Sequence, residues 1–390
     1  MNYLVLSPYY PENFQQFSIE LSKKGVTVLA IGQEPYEQLG QGLQAAITEY
    51  FRVEDLENLD EVKRAAAFLF YKHGPFDRIE SQNEHWLEHD AALREQFNVF
   101  GMRYKHLKKT KFKSKMKKYF KKAGVPVVPG KVAEELDDVD KIINKIGLPL
   151  IAKPDSGVGA SGVFKLTDDA SVQAFKEAWD GVTPYFLEAF VDKAVVCTYD
   201  GLVDIDGNII YETSLTYNNT PFDMVEQQLD MGYYAEKEID PVLREYGQAA
   251  VKAFDMKERF FHIEFFRYED GSYVAIEYNN RAAGGYTVDV YNHGHRVNLF
   301  HDYAAMVVGE RLPERQFSQY SLVCSRRKHT DYLHSEQDIK DKYGAHMIDR
   351  KEMKGAFAEL LGDVNYFFVF DDPAEVDAIY QFVTERVETL

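Results

Sequence analysis

At 390 residues the chain is long enough for two or three packed subdomains, and its 45% apolar and 14% aromatic content excludes an intrinsically disordered protein. A formal net charge of -18 argues against a nucleic acid or an anionic membrane as the main partner, because both bind positively charged surfaces. The two cysteines, Cys197 and Cys324, have no zinc or redox spacing, which fits a reducing compartment. The N-terminus has no basic start and the chain has no long apolar run, so we expect an uncleaved, cytoplasmic protein.

The chain begins with a predicted β–α–β unit. Segments 3–7 and 26–31 have the apolar composition of buried parallel strands, and the helix-length segment 13–24 between them ends at Gly25. No glycine fingerprint follows the first strand, so we do not expect a dinucleotide site there. We place this N-terminal α/β domain at residues 1–102.

Residues 103–122 form a strongly basic segment within this acidic chain. The run predicts a helix with a solvated basic face, which Gly124 and Pro126 end. A nucleic-acid-binding surface is the alternative interpretation. The lysines of the run are Lys105, Lys108, Lys109, Lys111, Lys113, Lys115, Lys117, Lys118, Lys121 and Lys122.

The rest of the chain mixes predicted helices and strands, which indicates an α/β (α+β) protein. In chain order the predicted elements are a helix at 136–146, two strands around a glycine loop, a helix and a strand that ends at Glu188, a hairpin at 195–213, a helix at 241–255, a hairpin at 260–279, and strands at 320–324 and 365–370. We expect residues 103–305 to form a core and residues 306–390, which carry no chemical motif, to pack against it.

The glycine-rich loop follows a predicted strand that ends at Lys153. Gly157, Gly159 and Gly162 satisfy G-x-G-x-x-G, but a strand at 163–166 follows, whereas a dinucleotide site requires a helix there. Glycines let backbone N–H groups approach phosphate oxygens, and the lysine would neutralise phosphate charge. The loop is therefore either a lid over phosphates or an ordinary glycine turn.

The hairpin at 260–279 carries two glutamates that are predicted to face each other. A two-residue turn at Asp270-Gly271 pairs Glu264 with Glu277. Opposed side chains have Cβ atoms about 4.5–5.5 Å apart, and two carboxylates at that distance repel each other unless a cation lies between them. A solvated acidic face is the alternative interpretation.

Alternation along the strands places Asn279, opposite His262, on the same face as the two glutamates. Two carboxylates and an amide are hard oxygen ligands that suit Mg²⁺ or Mn²⁺. Arg281 joins this face if the strand continues, and a guanidinium beside a metal site suits phosphoryl chemistry. The other face is the predicted core, formed by Phe261, Ile263, Phe265, Val274, Ile276 and Tyr278.

In this order the basic helix before a Gly-x-Pro turn, the glycine loop and the acidic hairpin resemble the ATP-grasp superfamily, and more narrowly its carboxylate–amine ligase branch, which includes L-amino acid ligases. The resemblance spans about residues 76–300 and implies an ATP-grasp fold with an N-terminal Rossmann-like (pre-ATP-grasp) domain and a mobile lid at about 115–190. It implies ATP and Mg²⁺, or Mn²⁺, as cofactors. The implied metal ligands are Glu264, Glu277 and Asn279, and the implied catalytic residues are Arg281 and Lys153.

The resemblance also assigns contacts to ATP. Lys113 resembles the early phosphate lysine of the family, with Lys117, one turn away, as the alternative. The family's ribose-binding acid has no direct counterpart in segment 194–197, and either Asp192 or another residue serves instead, or the ribose is held differently. The implied ATP-binding residues are Lys113, Lys153, Ser156, Gly157, Gly159, Ser161, Glu188 and Val191.

By resemblance, a substrate carboxylate attacks the γ-phosphate of ATP, and an amine then displaces phosphate from the acyl phosphate. The expected partners are small-molecule carboxylates and amines that resemble amino acids, and the polar segment 211–234 could line their pocket. We expect no nucleic-acid or membrane partner. A homodimer is possible. Glu84 is either a substrate contact or an acid that complements a helix start. The alternatives are a carboxylase that uses bicarbonate and a free acceptor, because no biotin-accepting Met-Lys-Met segment is present, and a non-catalytic ATP-binding regulatory protein.

Overall fold

The computed structural model describes residues 1–157, 162–219, 229–314, 319–353, 355, 358 and 361–387. Three β-sheets, two of four strands and one of eight, organise these residues. None of the helices in these ranges has the length and apolar character that a membrane crossing requires.

The N-terminal part is a parallel sheet, as the two apolar segments predicted. Its strand order is β3-β2-β1-β4. Gly25, with φ +77°, follows the first helix and ends it where the sequence indicated. The elements are β1 (Asn2–Leu6), α1 (Gln15–Lys23), β2 (Thr27–Gly32), α2 (Gln41–Ala46), β3 (Ile47–Arg52), α3 (Leu59–His73), β4 (Arg78–Ile79) and α4 (Leu87–Gln96).

The basic segment forms two helices, α5 (Tyr104–Lys111) and α6 (Lys113–Lys122), so the prediction of a single helix is wrong. Phe112 between them is extended, with φ -100° and ψ 118°. Its backbone forms an isolated bridge with Ser156, at the start of the glycine loop. Pairing with this distant strand end competes with helix continuation, and a local pattern of lysines does not reveal it.

The second sheet lies in the range predicted for the lid. Its four strands are antiparallel in the order β5-β8-β6-β7, and α7 and α8 pack against it around buried Phe175, Leu150 and Leu187. Every predicted element of this range is present. They are β5 (Gly130–Ala133), α7 (Leu136–Ile146), β6 (Leu150–Pro154), β7 (Phe164–Leu166), α8 (Asp169–Ala178) and β8 (Tyr185–Ala189).

The third sheet has eight strands in the order β13-β12-β9-β10-β11-β14-β16-β15. The two predicted hairpins form one end of it, and the final stretch of the chain supplies the other end. The C-terminal strands therefore extend the central sheet; the three-part domain division, with boundaries after 102 and 305, stays a prediction. The elements are β9 (Val195–Val203), β10 (Ile209–Tyr217), β11 (Gly232–Ala235), α9 (Pro241–Phe254), β12 (Arg259–Arg267), β13 (Tyr273–Asn279), α10 (Thr287–His295), α11 (Leu299–Val307), β14 (Tyr320–Arg326), α12 (Glu336–Tyr343), β15 (Met347–Glu352), β16 (Val364–Phe370) and α13 (Glu375–Thr384).

A buried ionic cluster connects the N-terminal sheet to the central sheet. Glu80, just after β4, accepts hydrogen bonds at one oxygen, Oε2, from Arg94 of α4 at 2.8 Å and from Arg259 of β12 at 2.9 Å. All three side chains are buried. Removal of one partner would leave a buried charge without compensation, so this cluster fixes the start of β12 against the N-terminal domain.

Candidate active site

The acidic hairpin, β12 and β13, pairs Glu264 with Glu277 as predicted, but its tip differs from the prediction. Nearer the tip the register is shifted by one residue and Arg267 lies opposite Tyr273. The turn is therefore longer than the predicted two residues, with Gly271 at φ +80°, as three-residue turns require. The glutamates still meet because one extra residue in β13, a bulge, offsets the longer turn.

The bulge also changes which side chains face the core. Tyr273 and Ala275 are buried together with Phe265, whereas Val274 and Ile276, predicted to be core residues, are only partly buried. An extra residue reverses the alternation of a strand, so positions on the tip side of the bulge present the opposite face. The other predicted core positions of the hairpin are buried.

The two glutamates form a recessed acidic face. The Glu264 side chain is 24% exposed and the Glu277 side chain 21%, and Asn279 beside them is buried. Within the described residues no group of three or more His, Cys, Asp or Glu side chains could hold a metal ion, and the predicted ligand set of two carboxylates and the Asn279 amide stays a prediction. Two opposed carboxylates in a partly desolvated place suit a divalent cation with oxygen ligands.

The environment pushes the two carboxylates in opposite directions. Burial raises the pKa of Glu277; the charge of Lys113 lowers it in part, and the neighbouring Glu264 raises it further. Burial also works to raise the pKa of Glu264, but the hydrogen bond and charge of His262 outweigh it and hold this pKa below its ordinary value. A bound cation would favour the ionised form of both groups.

Helix α6 brings both candidate phosphate lysines to the site. Nζ of Lys113 lies 3.8 Å from Oε1 of Glu277 and donates to the carbonyl oxygen of Gly157 at 3.1 Å. Nζ of Lys117 lies 3.0 Å from Oε2 of Glu188 and donates to the carbonyl oxygen of Ala275 at 3.0 Å. Both lysines are buried, because a spacing of four places them on one helix face. Lys113 is thus the one that contacts the acidic pair, and the other lysines of the basic run are exposed or partly exposed.

Glu188 of β8 lies between two lysines. It forms an ion pair with Lys153 of β6 as well as with Lys117, and its side chain is buried. Burial works to raise the pKa of Glu188, but the two positive charges outweigh it and lower the pKa to about 2. Burial likewise works to lower the pKa of Lys153, and Glu188 with Glu277 raises it overall. Val191 lies just beyond the end of β8 and is partly exposed.

The base of the glycine loop is fixed to the start of α6. Asp155 accepts hydrogen bonds from the backbone N–H of Ser114 at 2.7 Å and from its hydroxyl at 2.8 Å. Ser156 forms the bridge with Phe112, and Gly157 follows with φ +129°. Sequence reasoning missed Asp155, whose role depends on a contact between distant segments. Two predicted phosphate contacts lie outside the described residues: Gly159 and Ser161.

Arg281 follows the end of β13 and contacts the N-terminal domain. Its Nη2 and Nε lie 2.7 and 2.8 Å from Oε2 of Glu84. Glu84 begins the 3₁₀ turn Glu84–Trp86, so it is both an acid at a helical start and a partner of the predicted catalytic arginine. Burial works to lower the pKa of Arg281, and the charge of Glu84 outweighs it and raises the pKa.

His262, which lies opposite Asn279 in the hairpin, contacts the acidic face from behind. No role was predicted for it from the sequence. Nδ1 of His262 lies 2.6 Å from Oδ1 of Asp200 on β9, and Nε2 lies 3.2 Å from Oε1 of Glu264. Burial works to lower the pKa of His262, but Asp200 and Glu264 raise it to about 10. Alternation along β12 predicts that His262 lies on the same face as Glu264. The contact with Asp200 could not be predicted in this way, because it depends on β9 lying beside β12 in the sheet.

Comparison with known sequences adds a family match and two groups of relatives. Residues 111–288 match the family model described as carbamoyl-phosphate synthase L chain, ATP binding domain. The chain is 24% identical over 241 residues to the L-arginine-specific L-amino acid ligase of Bacillus subtilis, covering 60% of this chain and 58% of that protein. It is 26% identical over 261 residues to the 2-oxoglutarate carboxylase small subunit of Hydrogenobacter thermophilus, covering 61% of this chain and 53% of that protein. The chain thus spans about half the length of these curated relatives.

Solved structures show the same fold over nearly the whole chain. The L-amino acid ligase from Bacillus licheniformis superposes with a TM-score of 0.74 at 16% identity, covering 100% of this chain and 99% of that one. The biotin carboxylase domain of the Hydrogenobacter thermophilus 2-oxoglutarate carboxylase superposes with a TM-score of 0.71 at 18% identity, covering 94% of this chain and 85% of that one. The fold predicted from the glycine loop and the acidic hairpin is confirmed, while the roles of individual site residues stay predictions. The chain thus has the ATP-grasp fold, and its residues 111–288 match the model of an ATP-binding domain.

Proposed function

We propose that the protein is an ATP-dependent carboxylate–amine ligase that forms ADP and phosphate. The observation that carries this proposal is the opposed pair Glu264 and Glu277, with Nζ of Lys113 at 3.8 Å from one of its oxygens. An acidic pair alone suits a metal, and a lysine alone suits a phosphate. Together at one recessed face they suit a metal–triphosphate complex, because the cation neutralises phosphate charge from one side and the ammonium from another.

The proposed arrangement places ATP between the lid sheet and the central sheet. Adenine would lie at the end of β8, near Glu188 and the Val191 backbone, and the phosphates near Lys113, Lys153 and the glycine loop that begins at Ser156. Mg²⁺ or Mn²⁺ would be held by Glu264, Glu277 and Asn279, and when bound it would neutralise charge on the phosphate oxygens.

The proposed reaction has two displacements and needs no protein nucleophile. An oxygen of the substrate carboxylate attacks the γ-phosphorus, the bond to the β–γ bridging oxygen breaks, and ADP leaves. The amine nitrogen then attacks the acyl carbon, the bond to the phosphate oxygen breaks, and the nitrogen loses a proton. Arg281, which Glu84 holds beside the acidic face, would stabilise the negative charge of the transferred group.

A carboxylase that uses bicarbonate is the second candidate. It is favoured by the sequence match to a 2-oxoglutarate carboxylase small subunit and by the structural likeness to a biotin carboxylase domain. Bicarbonate would occupy the place of the substrate carboxylate, and the acceptor would be a free small molecule. A binding protein without turnover is the remaining alternative; location in the cytoplasm and a homodimer also stay predictions.

ADP release distinguishes these functions. The protein with ATP and Mg²⁺ is incubated with pairs from an amino-acid panel, and separately with bicarbonate and each amino acid, and products are identified by mass. We expect ADP, phosphate and a product whose mass equals two substrates less water. ADP that depends on bicarbonate would instead favour the carboxylase, and ATP binding without ADP formation in any mixture would favour another acceptor or the binding protein without turnover.

A further inference from the structure

The central sheet places polar side chains of three adjacent strands in two rows. In the first row His262 of β12 lies between Asp200 of β9 and Asn279 of β13. In the second row Glu264 lies between Thr198 of β9 and Glu277. β9, which carries no proposed metal ligand, therefore lies directly beside β12, which carries Glu264.

His262 connects the two rows. Its Nδ1 lies within hydrogen-bond distance of Oδ1 of Asp200, at 2.6 Å, and its Nε2 within that distance of Oε1 of Glu264, at 3.2 Å. A carboxylate at each ring nitrogen leaves the imidazole a single orientation, and the ring is buried. One oxygen of Glu264 is thus held by the protein, and the other would be available to the proposed cation.

Asp200 is itself held from two directions. The hydroxyls of Thr198 and of Tyr291, on α10, both donate to its Oδ2, opposite the oxygen that accepts from His262. Asp200 and Thr198 are buried, and so is Tyr291. The path Tyr291–Asp200–His262–Glu264 therefore runs from a packed helix to the acidic face without an exposed member before the glutamate.

We propose that His262 and Asp200 are positioning residues for the metal ligand Glu264. They would fix the carboxylate in one orientation before the cation and nucleotide arrive, so that binding requires no reordering of this side chain. This inference rests on the proposed function, because it takes Glu264 to be a metal ligand. A purely structural role for the buried pair is the alternative, and it predicts no special effect of the Glu264 contact.

Two neutral substitutions separate the contacts of His262. In His262→Gln the side-chain amide reaches the position of Nε2 and can still donate to Glu264, whereas in His262→Asn it reaches the position of Nδ1 and can donate only to Asp200. Both remove the imidazole from the same buried place. A difference between them therefore reports which of the two contacts, with Glu264 or with Asp200, is kept.

The readout is Mn²⁺ binding in the presence of ADP, followed by electron paramagnetic resonance, which needs no knowledge of the substrates. We expect His262→Asn to weaken Mn²⁺ binding about 10–100-fold, the range for lost partners of metal ligands, and His262→Gln to bind several-fold more tightly than His262→Asn. Equal binding by the two variants would overturn the inference. Failure of the unaltered protein to bind Mn²⁺ with ADP would instead overturn the metal assignment within the proposed function.

Thermal unfolding shows whether each variant is folded. If a His262 variant does not fold, Tyr291→Phe provides a milder test, since it removes one hydroxyl from Asp200 and leaves His262 and Glu264 in place. We expect a folded variant with a lower unfolding temperature, because a buried carboxylate loses one donor, and with weaker Mn²⁺ binding. Unchanged binding in this variant would overturn the inference.

Discussion

Replacing Glu277 with glutamine removes one negative charge from the acidic face and keeps the shape of the side chain. The residue lies directly opposite Glu264, and burial together with that neighbour raises its pKa. Ionised Glu277 therefore destabilises the folded protein, and a neutral glutamine removes this unfavourable contribution to the free energy of folding. The only ion pair that the structure gives to Glu277 within the described residues is the contact with Lys113 at 3.8 Å.

The magnitudes follow from these contacts. Loss of a long, partly exposed ion pair costs below about 1 kcal/mol, and relief of the repulsion from Glu264 offsets it, so the free energy of unfolding should change by less than about 1 kcal/mol. A cation held by Glu264, Glu277 and Asn279 would lose one of its two anionic protein ligands. We expect ADP formation to fall at least about 100-fold, which corresponds to about 2.7 kcal/mol of transition-state stabilisation.

The assay is ADP release with Mg²⁺ and the substrate pair found in the panel, next to urea unfolding of the same preparation. Glu269→Gln is the matched control, because it removes the same charge from the exposed tip of the same hairpin. We expect it to retain normal turnover. A folded Glu277→Gln protein with turnover near that of the Glu269→Gln control would refute the metal assignment.

Three further outcomes are expected. Glu80→Gln should lower the free energy of unfolding by about 3–5 kcal/mol, because it disrupts the buried cluster with Arg94 and Arg259; urea unfolding measures this, and a change below about 1 kcal/mol would contradict it. The pKa of Glu188 falls from its ordinary 4.5 to about 2 on folding, so its stabilisation is present above about pH 4.5 and is lost as the pH falls toward 2; Glu188→Gln should flatten that part of the stability curve, and an unchanged slope would be evidence against the ion pairs. Asp155→Ala should destabilise the protein by about 1 kcal/mol, because the first turn of α6 loses its hydrogen bonds to Asp155. It should also weaken ATP binding, measured by calorimetry; an unchanged Kd would contradict a role of the loop base in nucleotide binding.

Local patterns predicted the elements well and the hairpin only in part. Strand alternation and the Asp-Gly turn gave the pairing of Glu264 with Glu277, although the turn is longer and a bulge at Ile276 compensates. The position of the bulge depends on contacts of β13 with other parts of the chain. Tyr273 and Ala275 pack in the core, and the backbone N–H of Ala275 donates to the carbonyl of Pro126. Single-strand alternation contains none of this.

Local sequence pattern predicted a contact of the candidate site where both residues lie on one hairpin, as Glu264 and Glu277 do. The ion pair of Glu84 with Arg281 joins residues far apart in the chain, and so does the contact of Asp155 with Ser114. Such pairs depend on how sheets are placed against each other, which hydrophobic periodicity does not specify. The separation of the basic run at Phe112 has the same origin, since the bridge that ends α5 is formed with a distant strand.

The cluster of Glu80, Arg94 and Arg259 has a consequence for modularity. One carboxylate oxygen accepts from a guanidinium of the N-terminal domain and from one on β12, the strand that also carries Glu264. An N-terminal domain exchanged at residue 102 with that of a homologue would succeed only if the donor chain supplied an acid at this position. Recombination at this junction is therefore restricted by an electrostatic match, and the N-terminal part of this protein and its central sheet are expected to be inherited as one unit.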